Sequence, residues 1–360
     1  MLNPSPNQSK KGVIMGQYIV RRLLQAIPML LLVSIVLFAL VNLAPGGPLS
    51  QFVRSRRMTA ERMEVLKRQF GLDKPLPVQY IIWLAGNDWM EVDTDQDGVK
   101  DSYGTRKGIL RGDFGFSFKT REPVLEEIME RLPNTIYLMG ITLLIVAIVA
   151  IPVGIISAVK QYSAFDITIT TLSFMGQAMP EFWLGLILIL VFYVSLDNPI
   201  TGESLLPGGG MYTIGAEFSL VDRIRHLILP VLMGVVGWVA WWSRFLRSSM
   251  LEVINQDYIR TARAKGQTER KILFRHALKN ALIPLITMIA IDFPYVFTGA
   301  IVIERIFSWP GMGRLYYTSA TSRDYPVLMG VLILGSVVII LSNLMADIIY
   351  AYLDPRVRYD

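Results

Sequence analysis

The sequence predicts an all-α polytopic membrane protein with six transmembrane helices and a small external domain between the first and second of them. Hydrophobic residues make up 52% of the 360 residues and charged residues only 18%, whereas soluble domains carry about 25% charged residues. The charges are also unevenly placed, because they are almost absent from several long windows and crowded between them. Such a distribution is typical of a protein that lies in a bilayer.

Six apolar windows are each long enough to cross a membrane once, since a spanning helix needs roughly 17–25 apolar residues. Glu181 and Asp292 are the only charged residues inside them. Pro180 lies in the third window and predicts either a kinked helix or a short interfacial piece followed by a span. The windows are 23–43, 132–159, 167–196, 227–243, 280–303 and 325–346.

These windows and the segments between them predict the order of the chain. The first window follows two arginines, as in a signal peptide, but it exceeds the 7–15 apolar residues of such a peptide and is therefore taken as a retained span. The predicted order is a tail at 1–18, span one at 19–43, an external domain at 44–133 with an acidic insert at 86–108, span two at 134–159, span three at 166–196, span four at 227–247, a loop at 248–280, span five at 281–303, span six at 326–350 and a tail at 351–360.

The distribution of lysine and arginine predicts the orientation. With both termini in the cytoplasm, the cytoplasmic segments hold sixteen of these residues and the short outside loops five. Positive residues concentrate on the cytoplasmic side of membrane proteins, so cytoplasmic N- and C-termini are expected. The net charge of +6 follows from this topology, and no nucleic-acid partner is expected.

The segment 257–284, between spans four and five, is the most informative part of the chain. Residues 258–265 predict a short helix that Gly266 ends, and Thr268 is placed to cap a second helix over 269–280. The two helices form an elbow that continues into span five. Two interpretations stay open from the residues alone: a lever that passes motion from a soluble motor to the membrane, or a basic loop lying on anionic lipid.

The sequence of this elbow resembles the EAA-type cytoplasmic loop of ABC-transporter permeases. Two stretches resemble the dipeptide and oligopeptide permease family in particular, Tyr-Ile-Arg-Thr-Ala-Arg-Ala-Lys-Gly at 258–266 and Arg-His-Ala-Leu-Lys-Asn-Ala-Leu-Ile-Pro at 275–284. The similarity extends over nearly all of 18–358, in an order that agrees with six spans. Its further segments lie at 71–80, 111–117, 303–313, 323–325 and 353–358.

The resemblance implies the ABC type I importer permease fold and the subunit with the long first external loop. It implies a machine in which this subunit and a second homologous permease form the pathway, two cytoplasmic ATPase subunits bind the elbows, and an external substrate-binding protein delivers the cargo. The implied cargo is di- and oligopeptides, with oligosaccharides or another small solute as the alternative. A secondary transporter is less favoured, because no repeat is found in the sequence. The implied location is the bacterial or archaeal cytoplasmic membrane.

By the same resemblance, the elbow is expected to contact the ATPase. Arg260 stands at the position where the general EAA motif has glutamate, a departure that is usual in the dipeptide and oligopeptide family. The chain is not expected to be an enzyme, because its sequence has no Gly-x-x-x-x-Gly-Lys-[Ser/Thr] phosphate loop, and ATP is expected on the partner subunits only. The coupling residues expected are Arg260, Ala262, Arg263, Lys265, Gly266, Glu269, Arg275 and His276.

Two ionisable residues are predicted at membrane depth. Asp292 falls near the middle of span five, and Glu181 follows a proline in span three. A carboxylate at the bilayer centre costs about 2.5–3.5 kcal/mol on insertion scales, so each should face protein or water. Both are candidates for lining the pathway, and for Asp292 the alternative is an interhelical hydrogen bond or a protonated acid. Glu304 and Asp347 lie near span ends and are expected to be paired structurally.

The external insert carries the pattern Asp-x-Asp-x-Asp-Gly, in which alternate carboxylates can converge on calcium and Gly98 permits a sharp turn. Position twelve is Gly104, where an EF-hand needs a bidentate glutamate, so a full EF-hand is not expected. A solvated acidic turn is the alternative to a weak calcium loop. The candidate ligands are Asp93, Asp95, Asp97, the carbonyl of Val99, and Asp101.

The rest of the external domain is predicted to form a small cap on which a binding protein docks. Residues 59–70 predict a helix that Gly71 ends. The insert and residues 123–131 are expected to complete this cap.

Overall fold

The computed structural model describes residues 6–45, 47–49, 67, 72–92, 102–199 and 202–353. The chain divides into two compact units. The first comprises Met1–Arg22, Pro133–Arg314 and Val338–Asp360, and the second comprises Leu23–Leu132 and Leu315–Val337.

Helices dominate the described residues. Five of these helices are long and apolar enough to cross a membrane, and a bent pair provides a sixth crossing if it counts as one span. The helices are α1 (Pro6–Leu43), α2 (Leu76–Ala85), α3 (Val124–Val159), α4 (Ala164–Ala178), α5 (Glu181–Ile189), α6 (Leu220–Ile254), α7 (Asp257–Ala264), α8 (Glu269–Lys271), α9 (Leu278–Asp292), α10 (Tyr295–Thr298), α11 (Ile301–Ile306), α12 (Met312–Ser322) and α13 (Tyr325–Leu353).

Shorter elements complete this architecture. A 3-10 turn covers Ile109–Arg111, and π-helical turns cover Leu190–Ser195 and Ile272–Ala277. Two short strands, β1 (Glu91–Val92) and β2 (Ser102–Tyr103), pair antiparallel.

Both strands lie inside the acidic insert, on either side of its central part, 93–101. Its candidate calcium ligands, at 93–101, lie outside the described residues, as do residues 59–66 and 68–70 of the predicted external helix. The hairpin brings the two ends of the insert together, with Glu91 opposite Tyr103. The calcium loop therefore stays a prediction from the sequence.

The segment 124–131 is helical and continuous with the second predicted span. α3 runs without interruption from Val124 to Val159. Pro123 stands directly before the helix, and Glu126 and Glu127 occupy its first turn, where carboxylates interact favourably with the unpaired backbone N–H groups. These local signals begin the helix ten residues before the predicted span.

The third apolar window forms two helices rather than one. α4 and α5 enclose an angle of 100° at a break formed by Met179 and Pro180. Met179 is extended, with ψ of 126°, as expected because the proline ring disfavours helical geometry at the preceding residue. The window is therefore a bent pair of helices of equal length, Ala164–Ala178 and Glu181–Ser195, which together make one crossing if they count as a single span.

Each unit has its own hydrophobic core. In the first unit, one cluster joins α3, α6, the elbow and α9 around Trp242 and Leu246. A second cluster surrounds Leu229, Phe307 and Trp309. In the second unit, a cluster formed by α1, α2 and α13 surrounds Trp83.

Candidate functional site

The elbow is a helix–glycine–helix turn, as the sequence predicts. Gly266 has φ of +71°, the left-handed conformation that glycine adopts without strain. Its N–H donates to the carbonyl of Arg263 at 2.9 Å, and the N–H of Gln267 donates to the carbonyl of Ala262 at 3.3 Å. This pair of bonds is the Schellman motif, which satisfies carbonyls left open at a helix end.

One side of the elbow is embedded in the protein's own core. Ile259 and Ile272 are 0% and 2% exposed, and they pack in the same cluster as Trp242 of α6. Ala262 is buried there as well, at 6% exposed. Its small side chain therefore packs against the protein's own helices, whereas Ala264 and Gly266 are exposed on this turn.

The opposite side of the elbow is polar and exposed. Arg263 Nε and Nη2 donate to the two oxygens of Glu269 at 2.8 and 3.2 Å, which ties the helices together across the turn. The hydrogen bond to Glu269 raises the pKa of Arg263, so this guanidinium stays charged. The other predicted coupling residues on this exposed side are Arg260, Lys265 and Arg275.

His276 is part of the internal bracing of the elbow. It is partly buried, and its Nε2 lies 2.9 Å from Oε1 of Gln267, next to the turn glycine. Asn280 Nδ2 donates to the hydroxyl of Tyr258 at 3.0 Å and adds a second link between the two helices. The geometry therefore gives His276 a structural contact inside the turn.

The second half of the elbow and span five form one helical rod. α8 passes into a π-helical turn at Ile272–Ala277, which passes directly into α9. π-turns inside helices occur frequently at functional sites. No loop interrupts the rod between Glu269 and Asp292.

Asp292 makes an interhelical hydrogen bond. Its Oδ2 accepts from Trp242 Nε1 at 2.7 Å, which joins α9 to α6 across the core. Trp242 is 1% exposed, so its N–H needs a partner inside the protein. This contact is the second of the two interpretations that the sequence left open.

Glu181, the other candidate at membrane depth, lines a cleft of about 480 Å³ in the first unit. The cleft lies at the break between α4 and α5 and is also lined by α6 and by residues 299–303. Asp292 is not among its lining residues. The side chains that contribute polar or aromatic surface are Gln177, Glu181, Trp238, Trp241 and Tyr295.

The segment 303–313 is organised around Glu304, which is 0% exposed. Its Oε1 accepts from the hydroxyl of Thr135 at 3.0 Å, and its Oε2 accepts from the N–H of Arg314 at 2.9 Å. A Cβ at Gly299 or Gly311 would overlap the carboxylate. The expected structural pairing of Glu304 is thus made of hydrogen bonds, whereas Asp347 forms an ion pair with Arg22 at 2.9 Å.

Sequence reasoning missed a buried ion pair between α4 and α6. Arg247 Nε and Nη2 donate to the two oxygens of Asp166 at 2.6 and 2.7 Å, and Asp166 is 2% exposed. The only signal was that each residue stands at the edge of an apolar window. Their separation of 81 residues hides the pairing from any local pattern.

In the second unit, two segments that resemble the family pattern meet. Ser117 Oγ donates to Asp324 Oδ2 at 2.5 Å, and the N–H of Phe118 donates to Asp324 Oδ1 at 3.0 Å. Asp324 is 3% exposed and precedes α13. The carboxylate therefore holds the loop at 114–118 against the beginning of the last span.

Comparison with known proteins covers almost the whole chain. Residues 150–359 match the family described as binding-protein-dependent transport system inner membrane component, and residues 15–139 match its N-terminal companion. The chain is 42% identical over 346 residues to the oligopeptide transport system permease protein AppB of Bacillus subtilis, covering 96% of this chain and 100% of AppB.

Two further relatives have similar coverage. Identity is 37% over 363 residues to the dipeptide transport system permease protein DppB of Escherichia coli K12, with 96% of this chain and 99% of that protein covered. It is 36% over 357 residues to the di/tripeptide transport system permease protein DppB of Pseudomonas aeruginosa, again with 96% and 99% covered. The helical fold with five or six membrane-crossing helices, the elbow and these matches agree, and the chain belongs to the family of inner-membrane components of binding-protein-dependent transport systems.

Proposed function

We propose that this chain is the long-loop permease subunit of an ATP-driven importer of di- and oligopeptides, in which it forms half of the pathway beside a second homologous permease. The elbow is the observation that carries this proposal, because it is exposed on one side and built into span five on the other. The relatives named above are permeases for oligopeptides, dipeptides and tripeptides, which favours peptides as the cargo.

Coupling to two ATPase subunits is proposed to take place at the exposed side of the elbow. Its basic side chains offer a surface for a partner, and the buried side holds the turn against α3 and α6. Because the rod from Glu269 to Asp292 is unbroken, a pull on the elbow reaches Asp292 and its bond to Trp242. ATP binding and hydrolysis belong to the partner subunits in this proposal.

Charge reversal tests the coupling surface. Arg260→Glu and Arg275→Glu change exposed side chains without touching the buried side, so the fold should be retained. We expect less ATPase subunit to copurify from membranes and peptide uptake to fall. Lys160→Glu, an exposed residue after α3, is the matched control and should leave both unchanged. Unchanged copurification and uptake in the elbow variants would contradict the proposal.

Cytoplasmic termini are proposed from the excess of positive residues on one side. The chain contains no cysteine, so single cysteines can be introduced at exposed positions and labelled selectively. A membrane-impermeant maleimide should label Glu217→Cys in intact spheroplasts and Lys160→Cys only after lysis. The opposite labelling pattern would invert the proposed topology.

The cleft that Glu181 lines is proposed as part of the pathway wall. Its volume of about 480 Å³ lies in the range of small-ligand sites, and its walls combine aromatic rings with a carboxylate and an amide. The cargo is tested by measuring the uptake of a panel of peptides into vesicles that contain the reconstituted complex, with an oligosaccharide as competitor. Uptake that persists after ATP depletion would favour a secondary transporter instead.

Weak calcium binding by Asp93, Asp95, Asp97, Val99 and Asp101 is proposed as a stabilising feature of the external domain. The support is the spacing of the three aspartates followed by Gly98. In this proposal, calcium holds the insert and takes no part in transport.

A further inference from the structure

The second unit contains a cavity of about 280 Å³ that no step of the proposed transport cycle uses. It lies among the outer part of α1, α2, the loop at 105–118 and the beginning of α13. Its walls are mostly apolar and aromatic, and they include Phe38, Trp83, Phe114 and Met329. Trp83 and Met329 also belong to the hydrophobic core of this unit, so these walls are built into the packing.

One guanidinium in this cavity has no partner within the described part of the chain. Arg106 is partly buried, yet its side chain makes no hydrogen bond or ion pair with any described residue. Burial lowers the pKa of Arg106, whereas the charge of Asp113 raises it. The group remains protonated at neutral pH because an arginine does not lose its proton in proteins. A half-buried cation of this kind favours an anion beside it.

The neighbouring carboxylate does not supply that anion contact. Asp113 Oδ2 accepts the N–H of Lys107 at 2.9 Å, and Asp113 Oδ1 accepts the N–H of Gly115 at 3.0 Å. Both oxygens hold the loop backbone, and Asp113 forms no hydrogen bond or ion pair with Arg106. The Arg106 guanidinium lies close to Gly115, since a Cβ on Gly115 would be 3.3 Å from Arg106 Nη2.

The loop is braced so that the Arg106 backbone keeps its position. Asn87 accepts the N–H of Arg106 on its side-chain oxygen at 3.0 Å, and the N–H of Asn87 donates to the Arg106 carbonyl at 2.9 Å. Nearby, Arg111 binds both oxygens of Asp88 at 2.5 and 2.6 Å. The backbone that carries the Arg106 side chain is thus fixed before any ligand arrives, which reduces the entropy lost on binding.

A second polar group of the cavity lacks a partner. Gln79 donates its amide protons to the carbonyls of Leu72 and Lys74 at 3.1 and 2.6 Å, which fixes the orientation of the side chain. Its Oε1 is buried and has no hydrogen-bond partner among the described residues. A buried acceptor left unpaired is costly, so a ligand that brings an N–H donor gains there.

We propose that this cavity binds the C-terminal residue of a peptide with an apolar side chain, with the carboxylate on Arg106, the amide N–H on Gln79 Oε1 and the side chain between the aromatic walls. A fatty acid offers the same apolar body and carboxylate but no N–H donor. The inference rests on the proposed function only for the source of the ligand, because it is imported peptides that would present this chemistry at the site.

Binding to the full chain in lipid nanodiscs tests the site without the ATPase, so its outcome is independent of the transport proposal. The probes are N-acetyl-L-phenylalanine, its primary amide, which lacks the carboxylate, and dodecanoate, which lacks the N–H. Affinity is measured by calorimetry and by the fluorescence of the tryptophans, which include Trp83. We expect the acid to bind more tightly than the other two probes.

Arg106→Gln should weaken binding of the acid by about 10- to 100-fold, the effect of losing a charge-assisted hydrogen bond, and should leave the amide unaffected. Arg121→Gln is the matched control, because Arg121 is an exposed arginine of the same unit that does not line the cavity. A thermal unfolding curve checks that both variants are folded. Equal affinity for acid and amide, preference for dodecanoate, or no binding by any probe would each overturn the proposal.

Discussion

Replacing Gly266 with alanine tests whether the elbow depends on its backbone conformation. Gly266 has φ of +71°, and no heavy atom lies within 4 Å of a Cβ built there. The substitution therefore adds no clash inside the chain, and its cost is the strain of a left-handed alanine, about 1–2 kcal/mol. A change of that size shifts the population of the native turn by roughly 5- to 30-fold. Asparagine tolerates this conformation better, so Gly266→Asn should cost less.

The assay compares Gly266→Ala and Gly266→Asn in the assembled transporter. We expect Gly266→Ala to reduce peptide-stimulated ATP hydrolysis and uptake, and Gly266→Asn to retain most of both, although asparagine is the larger residue. The amount of permease in the membrane is measured as a control for folding. If both variants fail equally, a surface contact at this position matters rather than the backbone. If neither variant changes activity, the Schellman turn is not needed for coupling.

Three further predictions concern buried polar contacts and the external insert. Asp166→Ala leaves Arg247 without its counter-charge and should destabilise the purified protein by about 3–5 kcal/mol; Asp166→Leu with Arg247→Met should recover part of the thermal stability, and a double variant no more stable than the single would contradict this. The Thr135 hydroxyl donates to Glu304 and accepts the N–H of Met312, so Thr135→Val should cost roughly 1–3 kcal/mol of stability. Thr135→Ser serves as control and should unfold close to the wild-type temperature. Calcium should raise the unfolding temperature of the wild type and not that of Asp95→Asn, and the absence of any calcium effect on the wild type would remove the calcium loop.

The elbow illustrates what can be predicted from local sequence. A glycine after a helical stretch and before a polar N-terminal turn is a local signal, and the structure confirms that the helix ends there. Ala262 shows the limit of the same reasoning. It was expected among the residues that contact the ATPase, but whether a small side chain faces outward depends on which helices lie beside it. The structure places it against the protein's own core.

The carboxylates show the same limit more strongly. Asp292 was identified from the sequence as a costly group at membrane depth, but its partner Trp242 is 50 residues away. Glu304 finds Thr135 across 169 residues, and Asp324 finds Ser117 across 207. Hydropathy indicates that such a group needs a partner, and it contains no information about which helix supplies one.

The sequence by itself predicted the apolar spans and the glycine turn of the elbow, because apolar length, charge placement and turn chemistry are properties of contiguous residues. The permease function came from the resemblance of the chain to a known family. The tertiary structure decided which polar groups are used and which remain available. It paired Asp292 with Trp242, and it left Arg106 and the Oε1 of Gln79 beside an apolar cavity. The physical reason is that burial and hydrogen bonding depend on neighbours distant in the chain, and these neighbours are set only when the helices pack.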